Sequence, residues 1–201
     1  MKTDIAILGG GVIGASVAYF LKLLDPSIEV LVVERDPTYE WASTPRASGG
    51  IRRLFSLHEN IELSNFSILF YDNFSNKMAV DGIEVEIGLK KNGYLFIVTP
   101  KDMDVLKSNF ETQIKLGFNV KWLEPKEIKD QFPSMNISDL GAAVFSPDDG
   151  WLDPYGVLMG FRRKAISLGV DFVKDEVTGF VWQKNKVKSA KLLSGQKIVG
   201  S

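Results

Sequence analysis

Residues 4–14 read DIAILGGGVIG, an apolar run that ends in a cluster of glycines. The isoleucines of Asp4–Leu8 fall on both faces of an extended chain, which predicts a strand buried inside a covered sheet. The residues Val12–Leu24 predict a helix, which ends at Asp25-Pro26 because a residue before proline avoids the helical region. Glu29–Glu34 is predicted to form a second strand. Together these elements make a β-α-β unit of about thirty residues.

The glycines have the spacing G-x-G-x-x-G, with Gly9, Gly11 and Gly14 at its fixed positions. The motif follows a predicted strand, opens a predicted helix and precedes an acid, Glu34, by twenty residues. That context is typical of a dinucleotide-binding domain. In such a domain the first glycine allows a tight turn, the second lets the backbone approach a pyrophosphate, and the third lets helix and strand pack closely. The alternative is a glycine-rich turn in another kind of α/β domain.

The start of this helix predicts a phosphate site. Its first backbone N–H groups, including those of Val12 and Ile13, have no partner inside the helix and lie at the positive end of the helix dipole. We expect Glu34 to accept hydrogen bonds from ribose hydroxyls. Arg35 is the neighbouring candidate contact. As a ligand for the 2′-phosphate of NADP it conflicts with Glu34, whose carboxylate would repel that phosphate.

The segment after the second strand favours FAD over NAD. In an NAD-binding domain this strand usually leads soon into another helix and a third parallel strand. Here a polar loop rich in Ser, Thr, Pro and Gly runs from Arg35 to Gly50. An NAD-binding module stays open as an alternative.

The composition excludes several classes of protein. The 201 residues include 24 Lys+Arg and 25 Asp+Glu, so the net charge of -1 gives no electrostatic reason for nucleic-acid binding. The absence of cysteine excludes disulfides, thiol nucleophiles and cysteine-ligated metals, and it fits a reducing cytoplasm. A single histidine, His58, argues against a histidine-rich metal site or a Ser-His-Asp triad. We expect His58 to be a surface or capping residue.

The uncharged run from Ile5 to Leu21 resembles a signal peptide or a short membrane span. Asp4 at its edge, the glycines within it and the lack of a cleavage pattern argue against both. A second apolar run, Ile28–Val33, follows directly. We therefore expect a buried strand and a buried helix here, and no transmembrane segment.

Further elements are predicted from periodicity and from turn residues. Helices are expected at Asn60–Met78, Asp102–Leu116, Glu124–Phe132 and Pro154–Leu168, the last capped by Asp153. Strands are expected at Ala142–Phe145 and Val170–Val173, and as a hairpin of Ile83–Ile87 and Tyr94–Val98 around Lys91-Asn92-Gly93. A meander is expected from Val177–Gln183, Val187–Leu193 and Lys197–Val199.

Two charged clusters are interpreted as structural. The run Arg162-Arg163-Lys164 is expected to form the solvated face of a helix, with its aliphatic stems on the surface. The pair Asp148-Asp149 is expected to be a turn.

The polar loop resembles that of a known family. Glu34-Arg35 and residues 42–52, ASTPRASGGIR, are similar to the loop of the D-amino-acid-oxidase-like FAD-dependent oxidoreductases, a superfamily that includes sarcosine and dimethylglycine dehydrogenases. The likeness continues in order along the chain through Gly93-Tyr94-Leu95, Asp149-Gly150-Trp151 and residues 153–178. It is far more specific than the glycine motif.

The resemblance implies that several loop residues hold FAD. Ser43 and Thr44 match the loop that hydrogen-bonds the pyrophosphate and ribityl region. Val177 matches a residue whose backbone contacts the adenine. The backbone that lies along the isoalloxazine ring is matched by Ala47, Ser48, Gly49, Gly50 and Ile51.

The resemblance also implies a substrate contact. Arg52 matches an arginine that holds the substrate carboxylate in sarcosine-oxidase-like members. A guanidinium suits this role because it pairs bidentately with a carboxylate and keeps its proton. The alternative is that Arg52 pairs with a nearby acid or with the phosphates. Arg46 and Arg53 are weaker candidates.

The function that the resemblance implies is that of an FAD-dependent oxidoreductase acting on an amine or amino acid, of the sarcosine or D-amino-acid type. Hydride would pass to the flavin from the carbon next to the substrate nitrogen. One alternative is a non-catalytic assembly factor of a respiratory complex that keeps FAD as a structural ligand. The expected partner is a small-molecule substrate, and a second copy of the chain or an electron-acceptor protein is an open possibility. No metal ion is expected.

The expected fold class is α/β, or α+β overall. A Rossmann-like FAD-binding domain with a βαβ unit and a β-meander would take residues 1–80 and 150–201, and an incomplete mixed-sheet substrate domain residues 81–149. Members of the family are longer, and this sequence stops in the last strand of the meander. The expectation is an N-terminal portion of a longer oxidoreductase or an incomplete reading frame. The alternative is a short homologue that covers its sheet edge by dimerising.

Overall fold

The computed structural model describes residues 1–200, which fall into two compact units. Unit 1 contains Met1–Ser48, Phe74–Ile87 and the chain from Asp153 onwards. Unit 2 contains Gly49–Asn73 and Gly88–Leu152. None of the helices in this described part of the chain is long and apolar enough to cross a membrane.

Helices and strands are mixed along the first 174 residues, and the last three strands follow one another directly. The strands are β1 (Lys2–Thr3), β2 (Ile5–Leu8), β3 (Val30–Glu34), β4 (Gly50–Ile51), β5 (Tyr94–Val98), β6 (Lys121–Leu123), β7 (Ala142–Ser146), β8 (Gly150–Trp151), β9 (Asp171–Lys174), β10 (Val177–Gln183), β11 (Lys186–Leu192) and β12 (Lys197–Gly200). The α-helices are α1 (Val12–Leu24), α2 (His58–Tyr71), α3 (Phe74–Lys77), α4 (Met103–Lys115), α5 (Pro125–Gln131) and α6 (Pro154–Ser167).

The predicted βαβ unit is confirmed and forms the centre of unit 1. Strands β2, β3 and β9 make a parallel sheet in that order. β3 is buried along Val30–Val33, as expected for a strand covered on both faces. Helix α1 presents small residues and Tyr19 to the interior, and the Tyr19 ring lies 5.6 Å from that of Phe161 on α6. The predicted cap of α6 is also confirmed, because Asp153 Oδ1 accepts a hydrogen bond from the N–H of Tyr155 at 2.9 Å.

The predicted meander is confirmed as well. Strands β10, β11 and β12 pair antiparallel in sequence order. The first turn places Lys184 and Asn185 at φ +48° and +61°, and Gly195 in the second turn has φ +88°. β1 adds to this sheet in parallel with β12, and the N-terminal ammonium of Met1 donates to the carbonyl of Lys197 at 2.8 Å.

Unit 2 contains an antiparallel sheet in the order β5-β7-β6. One apolar cluster includes Leu106 of α4, and another includes Ile128 of α5. The predicted hairpin of residues 83–87 with β5 is wrong, because β5 pairs with β7 instead. The segment before β5 is held elsewhere: Lys90 bridges to Trp151, and the N–H of Gly93 donates to the carbonyl of Asp149 at 2.8 Å. Strand β6 was not predicted.

The single helix predicted over 60–78 is also wrong, because it breaks after Tyr71 into α2 and α3. The buried side chains of α2, including Ile61 and Ile68, belong to unit 2. Phe74 of α3 is fully buried in unit 1, where its ring packs edge-on against Phe161 at 5.1 Å. The break lets the chain bury apolar residues in a different core on each side of residues 72–73.

The unit boundaries differ from the predicted domain boundaries at residues 49–73, 81–87 and 150–152, of which the last three residues belong to unit 2. Residues 49–73 belong to unit 2, because β4 pairs with β8 there. Residues 81–87 belong to unit 1, because the guanidinium of Arg163 donates to the carbonyl of Ile83 at 3.0 Å and the hydroxyl of Ser75 donates to the carbonyl of Val85 at 2.6 Å. The assignment of one unit to cofactor and the other to substrate stays a prediction.

The contact between α1 and the glycine turn tolerates no side chain at Gly14. A Cβ built there would lie 1.9 Å from the carbonyl oxygen of Gly9. We expect Gly14→Ala to lower the free energy of unfolding by about 3 kcal/mol, because backbone atoms must move to admit the methyl group. Urea unfolding followed by circular dichroism measures this. Gly179→Ala is the control, because a Cβ there meets no atom within 4 Å. Equal stability of the two variants would contradict this packing.

Candidate functional site

The glycine loop is tied to the end of β3 by backbone hydrogen bonds. Gly9 has φ +101°, a conformation that favours glycine, and its N–H donates to the carbonyl of Val33 at 2.8 Å. The N–H of Gly10 donates to Oε2 of Glu34 at 2.7 Å. The loop therefore has a fixed position above the carboxyl ends of β2 and β3, where ligands bind in open α/β sheets.

The start of α1 is open to an anion. Gly11 is the N-cap residue in an extended conformation, no side chain caps the helix, and its first turn has no acidic residue. Within residues 1–200, the N–H groups of Gly11, Val12 and Ile13 make no hydrogen bond. A Cβ built on Gly11 would approach only Oγ1 of Thr44, at 4.0 Å. Unpaired donors beside open space fit a pyrophosphate.

A pocket of about 400 Å³ in unit 1 brings four of the predicted cofactor residues together. They are Gly9, Glu34, Arg35 and Val177. Asp175 also lines this pocket, and hydrogen bonds from the Ser194 side chain and from backbone N–H groups lower its pKa, so it stays ionised. The acidic lining disfavours a 2′-phosphate on the ribose.

Glu34 has a second task besides its predicted contact with ribose. Its Oε2 accepts from Gly10 N, and its Oε1 accepts from the N–H of Asp36 at 2.8 Å. A carboxylate oxygen has two acceptor positions, so Glu34 can still accept hydrogen bonds from hydroxyl groups. These backbone contacts were not predicted from the sequence.

Tyr39 is a site residue that the sequence analysis missed. It is 1% exposed, has φ +59°, and its hydroxyl donates to the carbonyl of Gly10 at 3.0 Å. Burial raises the pKa of Tyr39 above its usual value, so the phenol stays protonated and keeps this hydrogen bond at neutral pH. The loop around it is polar, and no local pattern marks a buried ring there.

The predicted flavin loop divides between the units. In unit 1 a turn holds Ser43 and Thr44, with Arg46 N donating to the Ser43 carbonyl and Ala47 N to the Thr44 carbonyl. Ala47 and Ser48 end this part, and Gly49, Gly50 and Ile51 belong to unit 2. Arg46 is held within its own loop: its Nε donates to the Glu40 carbonyl, and its guanidinium lies 4.4 Å from the centre of the Trp41 ring.

Arg52 lies in unit 2 against three aromatic rings. Its guanidinium carbon is 5.1 Å from the ring centre of Phe55, 5.4 Å from that of Phe96 and 5.5 Å from that of Tyr94. Its Nε is buried and has no hydrogen-bond partner in the described chain. Arg52 also lines a pocket of about 220 Å³ that reaches Tyr71 on α2. A half-buried guanidinium with a buried, free Nε donor can pair with an anionic group.

Arg53, by contrast, forms a buried ion pair. Its Nε lies 2.9 Å from Oδ1 of Asp149, and its backbone N–H donates to Oδ2 of the same carboxylate at 2.9 Å. Asp149 is 0% exposed. The interpretation of Asp148-Asp149 as only a turn is therefore wrong for Asp149, whose partner is distant in sequence.

The predicted solvated face is correct for Arg163, which is exposed, and wrong for Arg162 and Lys164, which are partly buried. The guanidinium of Arg162 lies 5.4 Å from the ring centre of Phe172, and its Nε is buried. The guanidinium of Arg163 donates to Ile83, as described above. Lys164 Nζ donates to the carbonyl of Ala79 at 2.7 Å. These side chains fix the 74–87 segment and β9 to α6 within unit 1.

Two sequence expectations concern other kinds of site. His58 is exposed at the start of α2 and pairs with Glu62 at 2.9 Å, which agrees with a surface role. In the part of the chain that the structure describes, no cluster of three or more acidic, histidine or cysteine side chains could hold a metal ion.

The geometry of the glycine loop, the open helix start and the adjoining pocket agrees with a family comparison. Residues 4–199 match the model of the DAO family, described as FAD dependent oxidoreductase. This chain belongs to the DAO family. The predicted family and its dependence on FAD are thereby confirmed. The strands and helices described above confirm the predicted fold class of mixed helix and sheet.

Proteins similar to this chain match almost its whole length. FAD-dependent oxidoreductase domain-containing protein 1 of Xenopus laevis is 38% identical over 194 residues, which cover 94% of this chain and 39% of that protein. Sarcosine oxidase subunit beta of an Arthrobacter species is 26% identical over 201 residues, covering 96% of this chain and 48% of that protein. The crystal structure of L-proline dehydrogenase from P. horikoshii has a TM-score of 0.83 and 30% identity, covering 99% of this chain and 51% of that one. The chain thus spans about two fifths to a half of the length of these three proteins.

Arg52 and Arg53 provide a test of the Arg53–Asp149 ion pair. We expect Arg53→Met to lower the free energy of unfolding by about 3–5 kcal/mol, because it leaves the buried Asp149 carboxylate without its cation. Arg52→Met is the control and should cost only about 1 kcal/mol, since Arg52 has no acidic partner to abandon. Urea unfolding of both variants measures the difference. Equal losses would contradict the assignment of Arg53 as the structural arginine.

Proposed function

We propose that this chain binds FAD and forms part of an oxidoreductase that acts on a small amine or amino acid carrying a carboxylate. The observation that carries the proposal is the uncapped start of α1, with three unpaired N–H groups beside open space and next to a pocket lined by Glu34 and Val177. Membership of the DAO family supports FAD as the dinucleotide.

Unit 1 supplies contacts for the dinucleotide. The N–H groups of Gly11, Val12 and Ile13 would donate to the pyrophosphate, with the Thr44 hydroxyl as a further donor. Glu34 would accept from the ribose hydroxyls, and the Val177 backbone would contact the adenine. The pocket volume of about 400 Å³ lies in the range of ligand sites, which is roughly 300–1,000 Å³.

Unit 2 supplies Arg52 for the substrate. FAD, when bound, supplies the acceptor for a hydride from the carbon next to the substrate nitrogen. The task of the protein is then to orient that carbon and to exclude competing reactions. The rings of Phe55, Tyr94 and Phe96 partly shield Arg52 from solvent, so a carboxylate paired with the guanidinium would be held more strongly than on an open surface.

The substrate class of the proposal is a carboxylate of the sarcosine or amino-acid type. The fact that supports Arg52 as its anchor is that, among residues 1–200, Arg53 has an acidic partner and Arg52 has none. Bleaching of the oxidised flavin by sarcosine or an amino acid, without air, tests the reaction. A yellow protein that no such compound bleaches would favour a structural FAD, and a colourless protein that binds NAD would favour a nicotinamide cofactor.

Gly11→Ala tests the phosphate site. The variant should fold, because a Cβ at Gly11 meets only Thr44 Oγ1 at 4.0 Å. It should lose FAD, since the methyl group would occupy the space through which the backbone approaches the pyrophosphate. Absorbance at the flavin band and thermal unfolding of the purified variant measure both properties. Gly179→Ala is again the matched control. A Gly11→Ala protein that is still yellow would contradict the assignment of the phosphate site.

Arg52→Lys tests the substrate anchor. The ammonium keeps the charge but loses the bidentate geometry, so carboxylate substrates should bind about 1–3 kcal/mol more weakly while FAD affinity is unchanged. Titration of flavin spectral changes with substrate gives the dissociation constant. Arg163→Lys, an exposed position on α6, is the control. Unchanged substrate affinity in Arg52→Lys would return Arg52 to a structural role.

A further inference from the structure

The carbonyl of Gly10 has a dedicated hydrogen-bond donor. Tyr39 is 1% exposed, and its hydroxyl reaches across from the loop after β3 to donate to this carbonyl at 3.0 Å. The same hydroxyl lies 3.3 Å from the position that a Cβ on Gly10 would take. The ring thus fills the space behind the glycine loop and fixes one particular peptide group in it.

That peptide group joins Gly10 to Gly11. A trans peptide is planar, so its C=O and its N–H point in opposite directions. When the Tyr39 hydroxyl holds the Gly10 carbonyl, the Gly11 N–H is turned away from Tyr39 and cannot rotate independently. Hydrogen bonding at the carbonyl also polarises the amide and makes its N–H a stronger donor.

The other peptide groups of the loop are fixed by different contacts. The N–H of Gly9 is bound to Val33 and the N–H of Gly10 to Glu34. The N–H of Gly11 is the first along the loop without a partner in the described chain. It is also the one whose orientation Tyr39 controls.

We propose that Tyr39 is a positioning residue for the cofactor phosphates, which aims the Gly11 N–H at the pyrophosphate through its hydrogen bond to the Gly10 carbonyl. The inference rests on the proposed binding of FAD. It adds to the glycine motif a side chain that holds the phosphate-binding backbone in place before the ligand arrives. Because burial keeps the phenol protonated, the hydroxyl acts as a donor throughout the neutral pH range.

Tyr39→Phe tests the inference, because it keeps the ring and removes only the hydroxyl. We expect the dissociation constant for FAD, measured by quenching of flavin fluorescence, to rise about five- to tenfold. ADP carries the adenosine and two phosphates without the flavin, and its affinity should fall by the same factor. The ³¹P resonances of bound FAD should also shift, which a merely structural role would not cause.

Tyr19→Phe is the matched control, since Tyr19 is also buried in unit 1 but packs against Phe20 and Phe161. It should leave FAD affinity and the ³¹P resonances as in the unaltered protein, at a temperature where all variants are folded. Three results would each overturn the role of Tyr39 while leaving the proposed function intact. They are unchanged FAD affinity in Tyr39→Phe, an equal loss of FAD affinity in Tyr19→Phe, and a loss of affinity for FAD but not for ADP in Tyr39→Phe. Failure of the unaltered protein to bind FAD would overturn the proposed function together with this inference.

Discussion

The hydrogen bond from the Gly10 N–H to the Glu34 carboxylate is the contact on which the arrangement of unit 1 depends. It joins the glycine loop to the end of β3, and the second oxygen of the same carboxylate holds the loop that follows β3. One side chain therefore sets the distance between the turn that begins α1 and the loop that carries Thr44 and Tyr39. A carboxylate suits this position because it accepts from several backbone N–H groups at once.

Local signals made the βαβ unit predictable. The bounds of α1 follow from Gly11 before it and from Asp25-Pro26 after it, and both signals lie next to the helix in sequence. Partners that are distant in sequence were not predictable. β5 has the pattern of a hairpin strand, yet its partner is β7, with Tyr94 opposite Ser146. A pattern shows that a strand exists, but the choice of neighbour is made by the packing of the whole sheet.

In the candidate site, too, local features were predictable from the sequence and distant contacts were not. The spacing of the glycines and of Glu34 predicted which backbone would face a dinucleotide. It gave no sign of Tyr39, because a positive φ at a tyrosine and complete burial of its ring have no local signature. The glycine spacing also could not separate Arg52 from Arg53, and only the family resemblance favoured Arg52. These neighbours differ only in that one reaches Asp149, a residue 96 positions from Arg53, and the other is left among aromatic rings.

The pairing of β1 with β12 affects the order in which the chain can fold during synthesis. The glycine motif is made long before β12, but β1 cannot pair until residues 197–200 have been made, since the Met1 amine and the Lys197 carbonyl are 196 residues apart. The last residue of unit 2, Leu152, emerges well before that. Contacts so distant in sequence form slowly, because loop closure must precede them. Within residues 1–200, the unit that contains the glycine motif therefore gains its β1–β12 pairing only after residues 88–152 of unit 2 have been made.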